Sequence, residues 1–279
     1  MRLGRYFMPA TTINDIRLYW ELTGSSGEPL VLVHGAWDDH HMWDSVTPDL
    51  SQSFRVLTYD RRGHSQSERP TSQWSIREEV ADLVSLIEVL GLAPAHIAAN
   101  SFGGCIVLRL AAKRPDLFRS LIVHEPPFFD LLVDQPEAQA ALAVMNRGMR
   151  LAADRVEAGE IAAGVRTFID AVTGTSGLWE GFPPEMKQRY LYNAPTILVW
   201  RRDPEARTLD LPSLSKFFHP VLITDGELSP SSFKLVVTRI INALPHVEHR
   251  TFSGAGHAPN YSHPHEYVKT ITEFIARRA

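Results

Sequence analysis

Apolar positions along this chain follow two alternating rhythms. Pro29-Leu30-Val31-Leu32-Val33, His96-Ile97-Ala98-Ala99, Ser120-Leu121-Ile122-Val123-His124 and Pro220-Val221-Leu222-Ile223-Thr224 are short continuous apolar runs, the pattern of strands covered on both faces. Residues 54–59 and 247–252 read as two further strands. Residues 16–22 alternate as a half-buried strand, followed by a turn at Gly24 to Gly27, and are placed at the sheet edge. Between these runs the period lengthens. From Ser75 the apolar residues Ile76, Val80, Leu83, Val84, Ile87 and Leu90 recur at three- and four-residue steps, with Gly91 as a stop. Helices are likewise predicted at 106–112, at 233–244 through Phe233, Val237, Ile240 and Leu244, and at the C-terminus through Tyr267, Ile271, Phe274 and Ile275. Strand and helix in alternation imply an α/β protein with a mostly parallel sheet and helices on both faces. Between residues 128 and 211 the alternation lapses into helical stretches at 135–157, 161–172 and, around Pro195, 184–202.

Candidate chemistry sits where strands end. The strand at His96-Ile97-Ala98-Ala99 passes through Asn100-Ser101-Phe102-Gly103-Gly104 into a helix, and a Ser held among small residues at such a turn is a nucleophile elbow, which makes Ser101 the candidate nucleophile. Ala99 stands where the usual G-x-S-x-G spelling has its first Gly. After Val33, the turn His34-Gly35-Ala36-Trp37 ends a buried strand where open α/β sheets place ligand groups. Its Ala36 N–H, with the N–H of Phe102, could face a developing oxyanion. His257, in a Gly-rich loop after the last strand, is the candidate base. In the polar segment 60–67, Asp60 and Arg61 read as loop-fixing partners.

Composition narrows the class. The chain has 279 residues, 44% hydrophobic and 22% charged, with a net charge of −4, which suits one globular α/β unit and gives no nucleic-acid or anionic-membrane footprint. The one cysteine, Cys105, allows no internal disulfide and reads as a small core residue. The opening MRLGRYFMPATT lacks the apolar stretch of a secretory leader, so a cytoplasmic location is the default expectation. The twelve histidines are scattered, without metal-ligand spacing, so neither metal nor other cofactor is expected.

Four pieces, His34-Gly35, the segment DRRGHSQS, the elbow at Ser101 and Gly254-Ala255-Gly256-His257, occur in an order and spacing that resembles the α/β-hydrolase fold across nearly the whole chain. The resemblance implies a core of residues 1–127 and 212–279, and a helical cap at 128–211. It also implies Ser101 as nucleophile, His257 as base, and the Ala36 and Phe102 N–H groups as oxyanion hole. Trp37, Phe128, Phe129, Trp179 and Phe182 are candidates to face a small-molecule substrate. The commoner family position for the acid, three residues beyond a Gly after the seventh strand, holds Ser229. Glu125, at the end of the sixth strand, is the expected acid, with Asp225 or Glu227 as the alternative. Pro126 predicts an extended backbone at Glu125. The function implied is cofactor-free hydrolysis of a carboxylic ester through an acyl-enzyme; family relatives cleave lactones, amides or C–C bonds with the same triad, and some are small-ligand receptors. Relatives that use Asp as nucleophile, dehalogenases and epoxide hydrolases, are disfavoured by Ser101. The oligomeric state is not legible.

Overall fold

Leu30 and Leu32 face one side of a central sheet, and Val31 and Val33 the other. The same split divides Ile97 and Ala99 from Ala98, Leu121 and Val123 from Ile122, and Val221 and Ile223 from Leu222. Side chains alternate across a strand, so an unbroken apolar run serves two cores at once. A computed structural model describes residues 10–277. Residues 1–9, most of the segment read above for a leader, lie outside the described residues, as do 278–279.

Eight strands form the sheet: β1 (Ala10–Ile13), β2 (Ile16–Thr23), β3 (Glu28–Val33), β4 (Phe54–Tyr59), β5 (Ala95–Asn100), β6 (Phe118–His124), β7 (Val221–Gly226) and β8 (Val247–Phe252). Their spatial order is β1-β2-β4-β3-β5-β6-β7-β8. β2 runs antiparallel to β1 and β4, and all later neighbours are parallel. The sheet edge therefore belongs to β1, one strand outside the edge predicted at 16–22. Residues 10–13 contain two threonines and only one fully buried side chain, Ile13, so their hydrophobic pattern is too short to announce a strand.

The helices of seven residues or more are α1 (Ile76–Val89), α2 (Phe102–Lys113), α3 (Gln139–Glu157), α4 (Ile161–Thr173), α5 (Pro184–Asn193), α6 (Thr196–Arg202), α7 (Ser231–Ile241) and α8 (Pro264–Ala276). Ser75 opens α1 with a capping box: its hydroxyl accepts from Arg77 N, and Glu78 Oε2 accepts from Ser75 N at 2.9 Å. α1, α2 and α7 join the core on one face, while Tyr267, Ile271, Phe274 and Ile275 of α8 close the other. Each such side chain contributes about 2 kcal/mol through the area it removes from water. Among the described residues no helix is long and apolar enough to cross a membrane.

Register then fixes where chemistry can meet. Val33 lies opposite Ala99, Asn100 opposite His124, and His124 opposite Thr224. The turns after β3, β5, β6 and β7 therefore emerge side by side at the carboxyl end of the sheet, the place where open α/β sheets bind ligands.

Candidate active site

Ser101 occupies φ 51° and ψ −122°, a region that a residue with a Cβ avoids. Surrounding bonds hold it there: Ser101 N donates to His124 O at 2.8 Å, and Gly104 N donates to Ser101 O at 2.8 Å. The turn also needs Gly103, because a Cβ there would stand 2.4 Å from Val33 O and 2.7 Å from His34 O. Ala99, at the motif's other small position, sits buried in the core opposite Val33 without conflict. Phe102 opens α2, so its N–H has no intrahelical acceptor and lies at the positive end of the helix dipole.

One turn away, His257 Nδ1 lies 2.6 Å from Glu125 Oε2, and Gly226 N donates to Glu125 Oε1 at 2.8 Å. Glu125 is fully buried. Burial alone would push its carboxyl up; the His124 imidazole, the His257 hydrogen bond and the Gly226 N–H outweigh that and bring it down to about 2. An ionised Glu125 accepts a hydrogen bond from the Nδ1–H of His257, which leaves Nε2 as the basic nitrogen. The extended backbone predicted at Glu125 is not what forms. Its φ is 44°, and the bond from Glu125 N to Thr224 O at 3.2 Å, with both carboxylate contacts, overrides the local preference set by Pro126. Phe233 stacks on the His257 ring, centroids 4.3 Å apart, and Asn100 Nδ2 donates to His257 O at 3.1 Å. Asn100, the residue before Ser101, thus ties the histidine loop to the Ser101 turn.

The alternative acids are engaged elsewhere. Asp225 Oδ2 lies 3.3 Å from His249 Nε2. Glu227 accepts from Ser253 Oγ at 2.8 Å and Gly254 N at 2.7 Å, fixing the start of the histidine loop. Buried His124, its pKa brought down to about 4 by burial foremost, is neutral at neutral pH, and its Nδ1 pairs with Thr224 Oγ1 at 2.9 Å.

The turn after β3 is held from below. Arg61 donates through Nη1 to His34 O at 3.3 Å and Gly35 O at 3.2 Å, pairs with buried Glu79 at 2.9 Å, and covers the Phe102 ring at 4.8 Å. His34 is kept neutral, foremost by burial and then by the Arg61 charge; its Nδ1–H donates to Gly35 O and its Nε2 accepts from Arg61 N. Asp60 accepts from His40 N, His40 Nδ1 and Gln66 N, a loop-fixing role like that read from the sequence.

Gly35, Ala36, Asn100, Ser101, Gly256 and His257 form the floor of a cavity of about 610 Å³. Phe168, Ile169 and Val172 of α4, then Phe182, Pro183 and Met186, supply its walls. Of the five aromatics expected to face a substrate, Phe182 lines this cavity. The other four are drawn into packing, because an apolar ring gains most where water is excluded on every side. Trp37 is fully buried behind the wall with its ring 4.0 Å from that of Phe168. Phe128 lies buried under Arg109, and Trp179 packs against Phe182. Phe129 packs on Phe233 and lines a second cavity, of about 500 Å³, on the far side of Phe102. Asp38, Tyr190 and Tyr261 also line the Ser101 cavity, and the sequence reading missed them along with Asn100.

Two donor sets among the described residues are compact enough for a metal ion, His124–Glu125–His257 and Asp39–His40–Asp60. The bonds above already commit the carboxylates of Glu125 and Asp60 to protein donors, so neither set is free to ligate without breaking them.

Known proteins are similar to this chain in sequence and in fold. A 2-(acetamidomethylene)succinate hydrolase of Mesorhizobium japonicum is 26% identical over 251 residues, 90% of this chain and 88% of its own length. The structure of the epoxide hydrolase CorEH superposes with a TM-score of 0.78 at 20% identity, covering 97% of this chain and 99% of that one. A thermophilic esterase from Thermogutta terrifontis gives a TM-score of 0.70 at 23% identity, covering 97% and 98%. At such identities the superpositions speak for the fold alone. Residues 28–264 match the sequence model of the alpha/beta hydrolase fold, and with that match the chain belongs to the α/β-hydrolase family.

Proposed function

We propose that this protein is a serine hydrolase cleaving a carboxylic ester of a small, mostly apolar molecule. The observation that carries the reading is the 2.6 Å bond between Glu125 Oε2 and His257 Nδ1, with a serine held at positive φ beside His257 in the floor of one cavity. In this mechanism His257 Nε2 takes the Ser101 hydroxyl proton as Oγ attacks the acyl carbon, and buried Glu125 stabilises the imidazolium. The N–H groups of Ala36 and Phe102 receive the oxyanion. Collapse expels the alcohol, which leaves with the proton from His257. Water, deprotonated by the same nitrogen, then releases the acid.

The activities for which these relatives are named, hydrolysis of a succinate derivative, of an epoxide and of esters, agree with hydrolysis as the reaction class. Ser101, in place of a carboxylate, supports acyl transfer over epoxide opening. The helical segment 128–211 serves as a cap, since α4 and the approach to α5 wall the cavity. The test is a screen of esters, lactones and anilides with wild type beside Ser101→Ala, coupled to fluorophosphonate labelling. Ester turnover and labelling, both absent in Ser101→Ala, are expected. Turnover that survives Ser101→Ala, or ligand binding with no turnover of any ester, overturns the reading.

A further inference from the structure

Most of the Ser101 cavity is apolar, but one wall is not. Asp38, 2% exposed, stands in that wall beside Tyr190 of α5 and Tyr261 of the segment after His257. Asp38 Oδ1 accepts from Asp39 N at 3.0 Å and pairs with Arg189 Nε at 2.8 Å. Its Oδ2 accepts from the Tyr261 hydroxyl at 3.0 Å and the Tyr190 hydroxyl at 3.3 Å. Three separate segments thus converge on one buried carboxylate.

The direction of these bonds decides what the wall can recognise. A phenol has one proton, and in both tyrosines it points to Asp38. Arg189, whose Nη2 also donates to the Tyr261 oxygen at 3.1 Å, supplies the positive charge that keeps Asp38 an acceptor. Burial foremost, then the Asp38 charge, holds both phenols protonated. What remains for a ligand is lone pairs. The Tyr190 oxygen accepts no bond among the described residues, and the Tyr261 oxygen accepts one. A ligand carbonyl or carboxylate meeting this wall would find no proton and would approach an anion. A ligand hydroxyl or amide N–H would find an acceptor.

We propose that the Asp38–Tyr190–Tyr261 wall is a specificity subsite that reads a hydrogen-bond donor on an otherwise apolar substrate. The substrate class is an ester whose acyl or alcohol chain carries a hydroxyl or amide N–H. The proposal rests on the ester-hydrolase reading for its reaction, and on the wall alone for its selectivity. Phe168, Val172 and Met186 accommodate the apolar remainder.

The experiment compares p-nitrophenyl esters of medium-chain acids in matched sets, plain, hydroxylated and oxo at the same carbon, with that carbon moved along the chain. At one position wild type is expected to favour the hydroxylated ester over both partners by roughly fivefold to tenfold in kcat/KM, the worth of one net hydrogen bond. In Tyr190→Phe the hydroxyl-to-plain ratio falls to near one. A preference for the oxo ester, no preference at any position, or a preference that survives in Tyr190→Phe overturns the proposal. Calorimetric binding of the same pairs to Ser101→Ala reads the wall without chemistry. Hydroxyl-selective binding there, with no ester turned over by wild type, sinks the hydrolase reading and leaves the subsite standing; unselective binding alongside normal wild-type turnover does the reverse.

Discussion

The floor and the walls of the Ser101 cavity are built on different principles. On the floor, strand register delivers Ser101, Glu125 and the Gly35 turn to one line, and short bonds between neighbouring strand ends hold two non-glycine residues at positive φ. The walls are largely helical, apolar except on the side of Asp38, Tyr190 and Tyr261, and attached to the floor at a few polar points such as Asp38 with Arg189 and Asn193 Nδ2 with the Trp37 and Asp38 carbonyls. A floor of this kind fixes a reaction. Walls of this kind can be repacked while the floor stays intact, so selectivity belongs to them.

That contrast breaks most visibly at Ser101, the proposed nucleophile. Ser101→Ala and His257→Ala are each expected to lower ester turnover by at least about 10⁴-fold, because a triad acts as a unit. Thermal unfolding should report an intact fold. Glu125→Gln should cost about 10³-fold to 10⁴-fold in kcat, since a neutral amide cannot stabilise the imidazolium. Asp225→Asn, at a side chain that faces His249, should stay within about threefold of wild type. Comparable losses in these two variants would mean that the acid is misassigned. Asn100→Ala, which frees the His257 carbonyl, should lower kcat about tenfold while altering KM little, as expected when a base is merely misplaced. On the wall, Phe168→Ala should shift the ratio of kcat/KM values between short and long acyl chains by about tenfold. A uniform loss across chain lengths would instead place Phe168 in support of the floor.

Acid stability sharpens the comparison with the smallest effect and opposite signs. Glu125, its carboxyl lowered from 4.5 to about 2, stabilises the fold above its unfolded value, and that share is lost as pH falls from about 4.5 through about 2. Asp38, its carboxyl pushed up from 3.8 to about 6 by burial foremost, holds a proton in the folded state between pH 3.8 and about 6, where the unfolded chain has released it, and is an anion above that range. Its share therefore grows as pH falls from about 6 to 3.8. Denaturant unfolding at stepped pH should show a shallower decline below pH 4.5 for Glu125→Gln, and a smaller rise between pH 6 and 4 for Asp38→Asn. Identical pH profiles for both variants would mean that neither carboxyl is held as described.

Much of the floor was legible because it is written in local pattern. Unbroken apolar runs located four of the eight strands, residues 54–59 and 247–252 read as two more, alternation located β2, and small residues around Ser101 marked the elbow. Ser229 at the commoner acid position turned attention to Glu125, the carboxylate that meets His257. The four-residue β1 was too short to show a period. The wall was illegible for a different reason. Tyr190 and Tyr261 lie 152 and 223 residues from Asp38, and nothing in the sequence around any of the three announces the other two. Aromatic rings misled in the same region: Trp37 and Phe128 are fully buried, and hydrophobicity alone does not say whether a ring faces a cavity or lies behind its wall.

The Arg189 contact also bears on how freely the parts of this protein can be exchanged. Asp38 and Asp39 follow β3, and the guanidinium within 2.8 Å of one and 3.4 Å of the other comes from α5. Excising residues 128–211, or grafting in the corresponding segment of a relative, would leave two adjacent core carboxylates without that counter-charge. Removing one partner of a buried ion pair costs about 3–5 kcal/mol, a large share of the stability of an ordinary domain. A transplant into this scaffold should therefore bring its own cation to the Arg189 position, or be made together with Asp38→Asn, before any change in substrate range is ascribed to the new helices.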